Sequence, residues 1–250
     1  MAESLSFKDC LKERILILDG AMGTMLQKQN LTETDFRGDL FKNWAIDLKG
    51  NNEILSITKP DAIEQVHREY LNAGADIIEC NTFSANSISQ KDYGLENHVK
   101  EMNKASVRLA KKLAKEYSTE DKPRFVAGSI GPTTKSATVS PDVMHPEIKS
   151  VTFDELVNCY TEQAEILINE DVDVFLVETI FDTLNAKAAI YSIKKVLEEK
   201  KKDIPIMLSV TLTDKSGRTL SGQTLEAFYY SLEFANPISV GLNCSMGIKE

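Results

Sequence analysis

The chain has 250 residues, of which 42% are hydrophobic and 27% charged, a composition typical of a globular protein with a sizeable core. Lys and Arg number 29 and Asp and Glu 38, so the formal net charge is −9. This negative charge argues against general binding to nucleic acid or to anionic membrane surfaces. No apolar run approaches the length of a membrane span, and residues 1–13 contain no apolar signal core, so we expect a cytoplasmic protein.

The first clear element is the apolar run at residues 15–18, which predicts a strand buried on both faces. A carboxylate and a glycine-containing stretch follow it directly: Asp19, Gly20, Ala21, Met22, Gly23 and Thr24. Because glycine permits sharp turns and a close backbone approach, this stretch is predicted to present an acid and bare amide groups to a ligand. A tight turn with a capping aspartate is the alternative, and the spacing of a phosphate-binding loop is absent.

Helical and strand patterns then alternate along the chain, after a polar connection over residues 27–57 that the pattern leaves unassigned. Thr58 and Pro60 predict the start of a helix that ends at Gly74. Hydrophobic periodicity predicts further helices over about 96–117, from a capping box at Thr152, and over 182–197 and 225–234. The predicted strands after the first cover residues 76–82, 124–132, 174–179, 205–212 and 238–245.

This alternation is typical of parallel βαβ units. Six units fit either an open doubly wound α/β sheet or a (β/α)8 barrel truncated after about six units. A barrel gathers all its strand ends at one mouth, whereas an open sheet uses only those beside its switch point. Every predicted strand ends in a polar or thiol residue, and we therefore favour a truncated barrel in one domain over residues 1–250. These strand-end residues are Asp19, Asn81, Thr133, Glu178, Thr213 and Cys244.

Two of these strand ends are candidates for binding. Glu178 ends a strongly apolar strand, where a carboxylate is costly to bury unless it lies at the mouth, so we predict a functional role. Asn81 occupies the same position on its own strand, although an asparagine that caps the next turn explains it equally well.

The four cysteines are widely spaced, which suits reduced thiols or metal ligands better than a disulfide framework. They are Cys10, Cys80, Cys159 and Cys244. A lone cysteine is most often a small core residue, and a shared metal site of Cys80 and Cys244 is the less favoured alternative. The three histidines show no metal-ligand spacing, and we predict that all of them lie at the surface. They are His67, His98 and His145.

Several long motifs resemble the homocysteine-binding modules of cobalamin-dependent methionine synthases. In order they are ILILDGAMGTMLQ, IDLKGNN, GADIIECNTF, GSIGPT, VTFDEL, VETIFDTLNAKAA, LSGQT and VGLNCS. They cover residues 14–247, and IDLKGNN and ETIFDTLNAKAA point to that family rather than to the betaine- and S-methylmethionine-dependent homocysteine methyltransferases. One departure is Cys80, where the family is expected to have threonine.

The resemblance implies a (β/α)8 barrel that binds homocysteine and zinc at its mouth. Cys244 in GLNC would be one of three cysteine ligands of the zinc. The other two belong to a Gly-Gly-Cys-Cys motif that this chain does not contain, so we expect these residues to be part of a longer protein. Zinc would favour the thiolate form of homocysteine, and the sulfur would attack a methyl group on cobalamin to give methionine.

By the same resemblance, the amides of Ala21 and Met22 would hold the carboxylate of the amino acid. Asp19 and Glu178 would hold its ammonium group, and Asn243 would orient the zinc ligands. Homocysteine and the cobalamin- and folate-binding modules of the same chain are the implied partners. Two alternatives stay open: a stand-alone methyltransferase that uses a small methyl donor, and a non-catalytic binding module.

Overall fold

The computed structural model describes residues 6–212 and 215–245, and its centre is a parallel sheet of five strands. The strands pair in the order in which they occur along the chain, without the reversal that defines a switch point in a doubly wound sheet. This order is that of a β/α barrel wall, and the predicted fold class is confirmed. The strands are β1 (Ile77–Glu79), β2 (Phe125–Ile130), β3 (Val174–Ile180), β4 (Ile206–Val210) and β5 (Ser239–Leu242).

Helices precede the sheet and connect its strands. They are α1 (Phe7–Glu13), α2 (Met22–Lys28), α3 (Glu33–Arg37), α4 (Leu55–Thr58), α5 (Pro60–Ala73), α6 (Ser87–Gln90), α7 (Val99–Tyr117), α8 (Phe153–Asn169), α9 (Thr183–Lys200) and α10 (Leu225–Leu232). Short 3₁₀ helices lie at Asn52–Ile54, Lys91–Tyr93, Glu96–His98 and Glu233–Ala235. None of the helices in the described ranges is both long and apolar enough to cross a membrane.

The long helices begin and end where their local chemistry dictates. Thr152 and Glu155 form the predicted capping box at the start of α8. Pro60 opens α5, and Gly74 ends it in the left-handed conformation with φ of 105°, which glycine adopts without steric cost. Asp182 caps α9 by accepting a hydrogen bond from the Leu184 N–H at 2.9 Å.

The sheet has an apolar cluster on each face. Alternate side chains of a strand point to opposite faces, and in β3 Phe175 and Val177 pack against the helices. Val174 and Leu176 join an inner cluster, where Phe7 of α1 packs edge-on against Phe125 with ring centroids 5.2 Å apart. The segment between α1 and β1 builds a separate cluster around α2, α4 and α5.

The prediction for residues 15–18 is wrong in part. Only Leu18 makes a bridge to the sheet, pairing with Ile77, and Leu16 and Leu18 pack on the inner cluster. Ile15 is 85% exposed and Ile17 54% exposed. The stretch is therefore an edge segment with one partly buried face.

The prediction that all histidines lie at the surface is wrong for His67, which is fully buried on α5. Burial lowers the pKa of its imidazole to about 4, because a charged ring would lose its hydration. His98 is half-buried and contacts the rings of Phe41 and Trp44. His145 is exposed, as predicted.

Candidate functional site

Two carboxyl groups lie close together where the edge segment of residues 15–18 and strand β1 end. The Asp19 N–H donates to the Ile77 carbonyl at 2.9 Å, which fixes the end of the first segment against β1. The Asp19 carboxylate in turn accepts the Glu79 N–H, at 3.2 and 3.1 Å to its two oxygens. Glu79 was not among the predicted site residues. It lies on the inner face because it follows Ile77 by two positions in the strand, and Ile77 belongs to the inner cluster.

Glu178, at the end of β3, is the third carboxylate. Ser129 on β2 is buried and donates to Glu178 Oε1 at 2.5 Å. Thr179 Oγ1 donates to Glu178 Oε2 at 3.3 Å. Two hydroxyl donors therefore orient this carboxylate, and its role in binding stays a prediction.

The three carboxyl groups influence one another. Burial raises the pKa of Glu79 well above its usual range, and the neighbouring Glu178 and Asp19 raise it further. Burial also raises the pKa of Asp19, as does the charge of Glu178, although the hydrogen bond from the Glu79 backbone opposes this. Like charges in one desolvated site disfavour joint ionisation, and a cationic group placed among them would offset their repulsion.

Asn243 connects three strand ends. Its Oδ1 accepts the Thr179 N–H at 3.1 Å and the Ser209 hydroxyl of β4 at 2.8 Å. Its Nδ2 donates to Thr179 Oγ1 at 2.7 Å and lies 3.5 Å from Cys244 Sγ. The Cys244 residue is exposed and has a φ of 48°. Asn243 therefore links the residue beside Cys244 to Thr179 on β3 and to Ser209 on β4.

The glycine-containing stretch leads into α2, which begins at Met22 with Ala21 as its N-cap residue. Ala21 makes no side-chain hydrogen bond to the first amides of the helix. These amides also have no partner within the helix itself. Gly20 lies close to Tyr70, since a Cβ atom there would be 3.1 Å from the tyrosine hydroxyl. Gly23 and Thr24 belong to the first turn of α2.

Asn81 lies beyond β1 and is buried. Its Nδ2 donates to the Asn52 carbonyl at 2.7 Å and to Ser56 Oγ at 3.1 Å. Asn81 thus ties the segment before α4 to the end of β1, and its contribution to substrate binding stays a prediction. Thr213, another predicted strand end, lies outside the described residues.

A bound metal ion needs several donor side chains that point to one place. Within residues 6–212 and 215–245, no group of three or more His, Cys, Asp or Glu side chains could hold a metal ion, and the neighbouring carboxyl groups of Asp19, Glu79 and Glu178 do not form such a group. Cys80 is buried in the helix-facing cluster, whereas Cys244 is exposed. This placement argues against a shared site of Cys80 and Cys244, and the described residues alone do not fit a zinc ion.

The fold and the sequence resemble known proteins. A sequence model of the family "Homocysteine S-methyltransferase" matches residues 16–250. The homocysteine methyltransferase MmuM from Escherichia coli is similar in its metallated form, with 22% identity, a TM-score of 0.71, and coverage of 96% of this chain and 78% of that chain. Its oxidized form gives 23% identity, a TM-score of 0.70, and coverage of 94% and 75%. These structures share the fold, and the family match over nearly the whole sequence shows that this chain belongs to the homocysteine S-methyltransferase family.

Proposed function

We propose that this chain binds L-homocysteine at the carboxyl edge of its sheet for methyl transfer to the thiol, which gives methionine. The observation that carries the proposal is the convergence of Asp19, Glu79 and Glu178 beside the Asn243–Cys244 strand end. Carboxylates that crowd together in a partly desolvated site favour an ammonium group, and a charge-assisted hydrogen bond to it is strong. We assign the ammonium group of the substrate to Asp19 and Glu178.

The carboxylate of the substrate is proposed to bind the amides of Ala21 and Met22. This assignment is supported by the start of α2 at Met22, because the first N–H groups of a helix have no partner within it and carry a partial positive charge. Gly20 packs against Tyr70 and Gly23 faces Asn52, and together with Thr24 they complete the proposed binding stretch. Asn81 is proposed to line the site beside its anchor at Asn52.

The thiol of the substrate is proposed to lie beside Cys244, which we propose as one ligand of a zinc ion. The remaining ligands would have to come from outside the described residues, since these contain no complete metal site. Asn243 would orient the cysteine through the 3.5 Å contact between its Nδ2 and the Cys244 sulfur.

The methyl donor is proposed to be methylcobalamin, supplied by cobalamin- and folate-binding modules of a longer cytoplasmic protein in which these residues form one module. The motifs IDLKGNN and ETIFDTLNAKAA support this assignment. A stand-alone enzyme with betaine or S-methylmethionine as donor is the second candidate, and the family membership accommodates both. A non-catalytic binding module is the third.

Substrate binding is tested by calorimetric titration of the protein with L-homocysteine and with 4-mercaptobutanoate, which lacks the amino group. We expect tighter binding of L-homocysteine, and Asp19→Asn and Glu178→Gln should each reduce this preference by about tenfold. Glu198→Gln on the exposed side of α9 is the matched control and should preserve the preference. Equal affinity of the unmodified protein for both compounds would contradict the proposed amine site.

The donor is tested by offering methylcobalamin, betaine or S-methylmethionine to the protein together with L-homocysteine, and by measuring methionine. Formation of methionine with methylcobalamin, but not with betaine or S-methylmethionine, supports the favoured assignment. Methionine from betaine or S-methylmethionine without cobalamin supports the second candidate, and homocysteine binding without turnover on any donor supports the third.

A further inference from the structure

The end of β3 is irregular at the position of the candidate site. The pairing register with β4 shifts between Val177 and Ile180. Within this shift, Thr179 has a φ of 55°, in the left-handed region that β-branched residues rarely adopt. Such a conformation costs free energy and persists only where the surroundings enforce it.

The irregularity changes which side chains face the site. Val177 and Ile180 both belong to the helix-facing cluster, although residues three apart in a regular strand point to opposite faces. The register shift absorbs one residue, as a bulge does. As a result, the two successive polar residues Glu178 and Thr179 are part of neither apolar cluster of the sheet, and they contact each other.

Three hydrogen bonds hold Thr179 in its strained conformation. Its N–H donates to Asn243 Oδ1 at 3.1 Å, and its Oγ1 accepts from Asn243 Nδ2 at 2.7 Å. The same hydroxyl donates to Glu178 Oε2 at 3.3 Å. A threonine hydroxyl has one donor and two acceptor positions, so it makes the last two contacts at once and links Asn243 to Glu178.

We propose that Thr179 is a positioning residue that aims the Glu178 carboxylate at the ammonium group of the bound amino acid. The inference rests on the proposed function, since it concerns the same site. The hydroxyl donates to Oε2 at 3.3 Å and Ser129 donates to Oε1 at 2.5 Å, while Asn243 Nδ2 lies 3.5 Å from Oε2, so both oxygens of Glu178 are held before the ligand arrives. Such preorganisation strengthens binding because less freedom is lost on association.

The test compares two substitutions that separate the hydroxyl from the shape of the side chain. Thr179→Val keeps the β-branched shape and removes the hydroxyl, whereas Thr179→Ser keeps the hydroxyl. Calorimetric titrations with L-homocysteine and 4-mercaptobutanoate measure the preference for the amine. We expect Thr179→Val to lower this preference by about tenfold, and Thr179→Ser to restore it to within about twofold of the unmodified protein.

Backbone strain is tested separately with glycine. Thr179→Gly should melt at the same or a higher temperature, because glycine adopts positive φ without cost, yet it should lose the amine preference as Thr179→Val does. Lys201→Gly is the matched control, since Lys201 has a φ of 52° at the end of α9. It should leave the amine preference unchanged.

An unchanged preference in Thr179→Val, or a loss in Thr179→Ser equal to that in Thr179→Val, would overturn the positioning role. In both cases the unmodified protein would still prefer L-homocysteine, and the proposed function would stand. An unmodified protein without any amine preference would instead overturn the proposed function and this inference together.

Discussion

Glu79 differs from the other site residues because its carboxyl group faces two further acids, Asp19 and Glu178. Its backbone N–H donates a hydrogen bond to the Asp19 carboxylate, and its side chain adds a third potential negative charge. Burial raises the pKa of Glu79 above that of a free glutamate, and its acidic neighbours add to the increase. The folded protein therefore binds a proton at Glu79 more tightly than the unfolded chain does, which links the stability of the protein to pH.

We predict that Glu79→Gln stabilises the protein at neutral pH. A raised carboxyl pKa in the folded state lowers stability as pH rises above the ordinary glutamate value, about 4.3. The neutral amide removes this penalty, so the melting temperature at pH 7 should rise by a few degrees. Thermal melts between pH 4 and pH 8 measure the effect, and Glu198→Gln is the control. A variant that is less stable than the parent at pH 7 would contradict the prediction.

Most site residues could be predicted because each follows an apolar strand in the sequence. This rule located Asp19 and Glu178, whereas Asn243 was implied only by the family resemblance, and the structure brings all three into one hydrogen-bonded and electrostatic neighbourhood. Glu79 escaped the rule because the strand pattern was extended to Asn81, whereas β1 ends at Glu79. The alternation from Ile77 would have placed it on the inner face. The strain at Thr179 could not be predicted, since it depends on contacts with a residue 64 positions away.

At the scale of elements, α5 contains a polar side chain on its apolar face. His67 is fully buried there, and neither ring nitrogen has a hydrogen-bond partner within the described residues. A buried polar atom without a partner destabilises the folded state, by about 1–3 kcal/mol. Because burial lowers the pKa of His67 to about 4, acid should weaken the packing of α5 further.

We predict that His67→Leu raises the free energy of unfolding, and by more at pH 5 than at pH 8. A histidine whose folded pKa lies below its unfolded value contributes stability above about pH 6.5, and that stability is lost as pH falls toward 4. The leucine variant has no proton to bind and should lack this loss. Urea unfolding at both pH values measures it, with the exposed His145→Gln as control. An equal gain at pH 5 and pH 8 would exclude the titration of His67 as the cause.

Secondary-structure features could be predicted where the signal lies within a few residues. The predictions were wrong where the burial of a residue depends on packing against distant elements. The capping box at Thr152 and the Gly74 stop depend on neighbours within a few residues, and both are present. The burial of residues 15–18 depends on what lies across the sheet edge, which their own sequence does not encode. The surface prediction for His67 was wrong for a related reason. The charged residues beside it in the sequence do not indicate which face of the helix it occupies.

At the scale of the whole molecule, the sheet has two open edges within the described residues. Residues 15–18 form one edge, with Ile15 and Ile17 exposed. At the other edge all residues of β5 are exposed, and an apolar groove of about 320 Å³ separates β5 from α10. Unpaired backbone groups beside exposed apolar side chains favour association with another chain.

We therefore predict that the isolated 250-residue chain self-associates in a concentration-dependent way. The groove is lined by Leu225, Tyr229, Tyr230, Val240 and Leu242 as well as polar neighbours, so pairing of two edges would bury apolar surface. Val240→Lys places a charge on the edge strand and should reduce association, whereas Tyr191→Lys, which changes an exposed tyrosine on α9, should not. Sedimentation velocity over a range of protein concentrations measures this. A monomer that melts cooperatively at every concentration would show that neither edge is available for pairing.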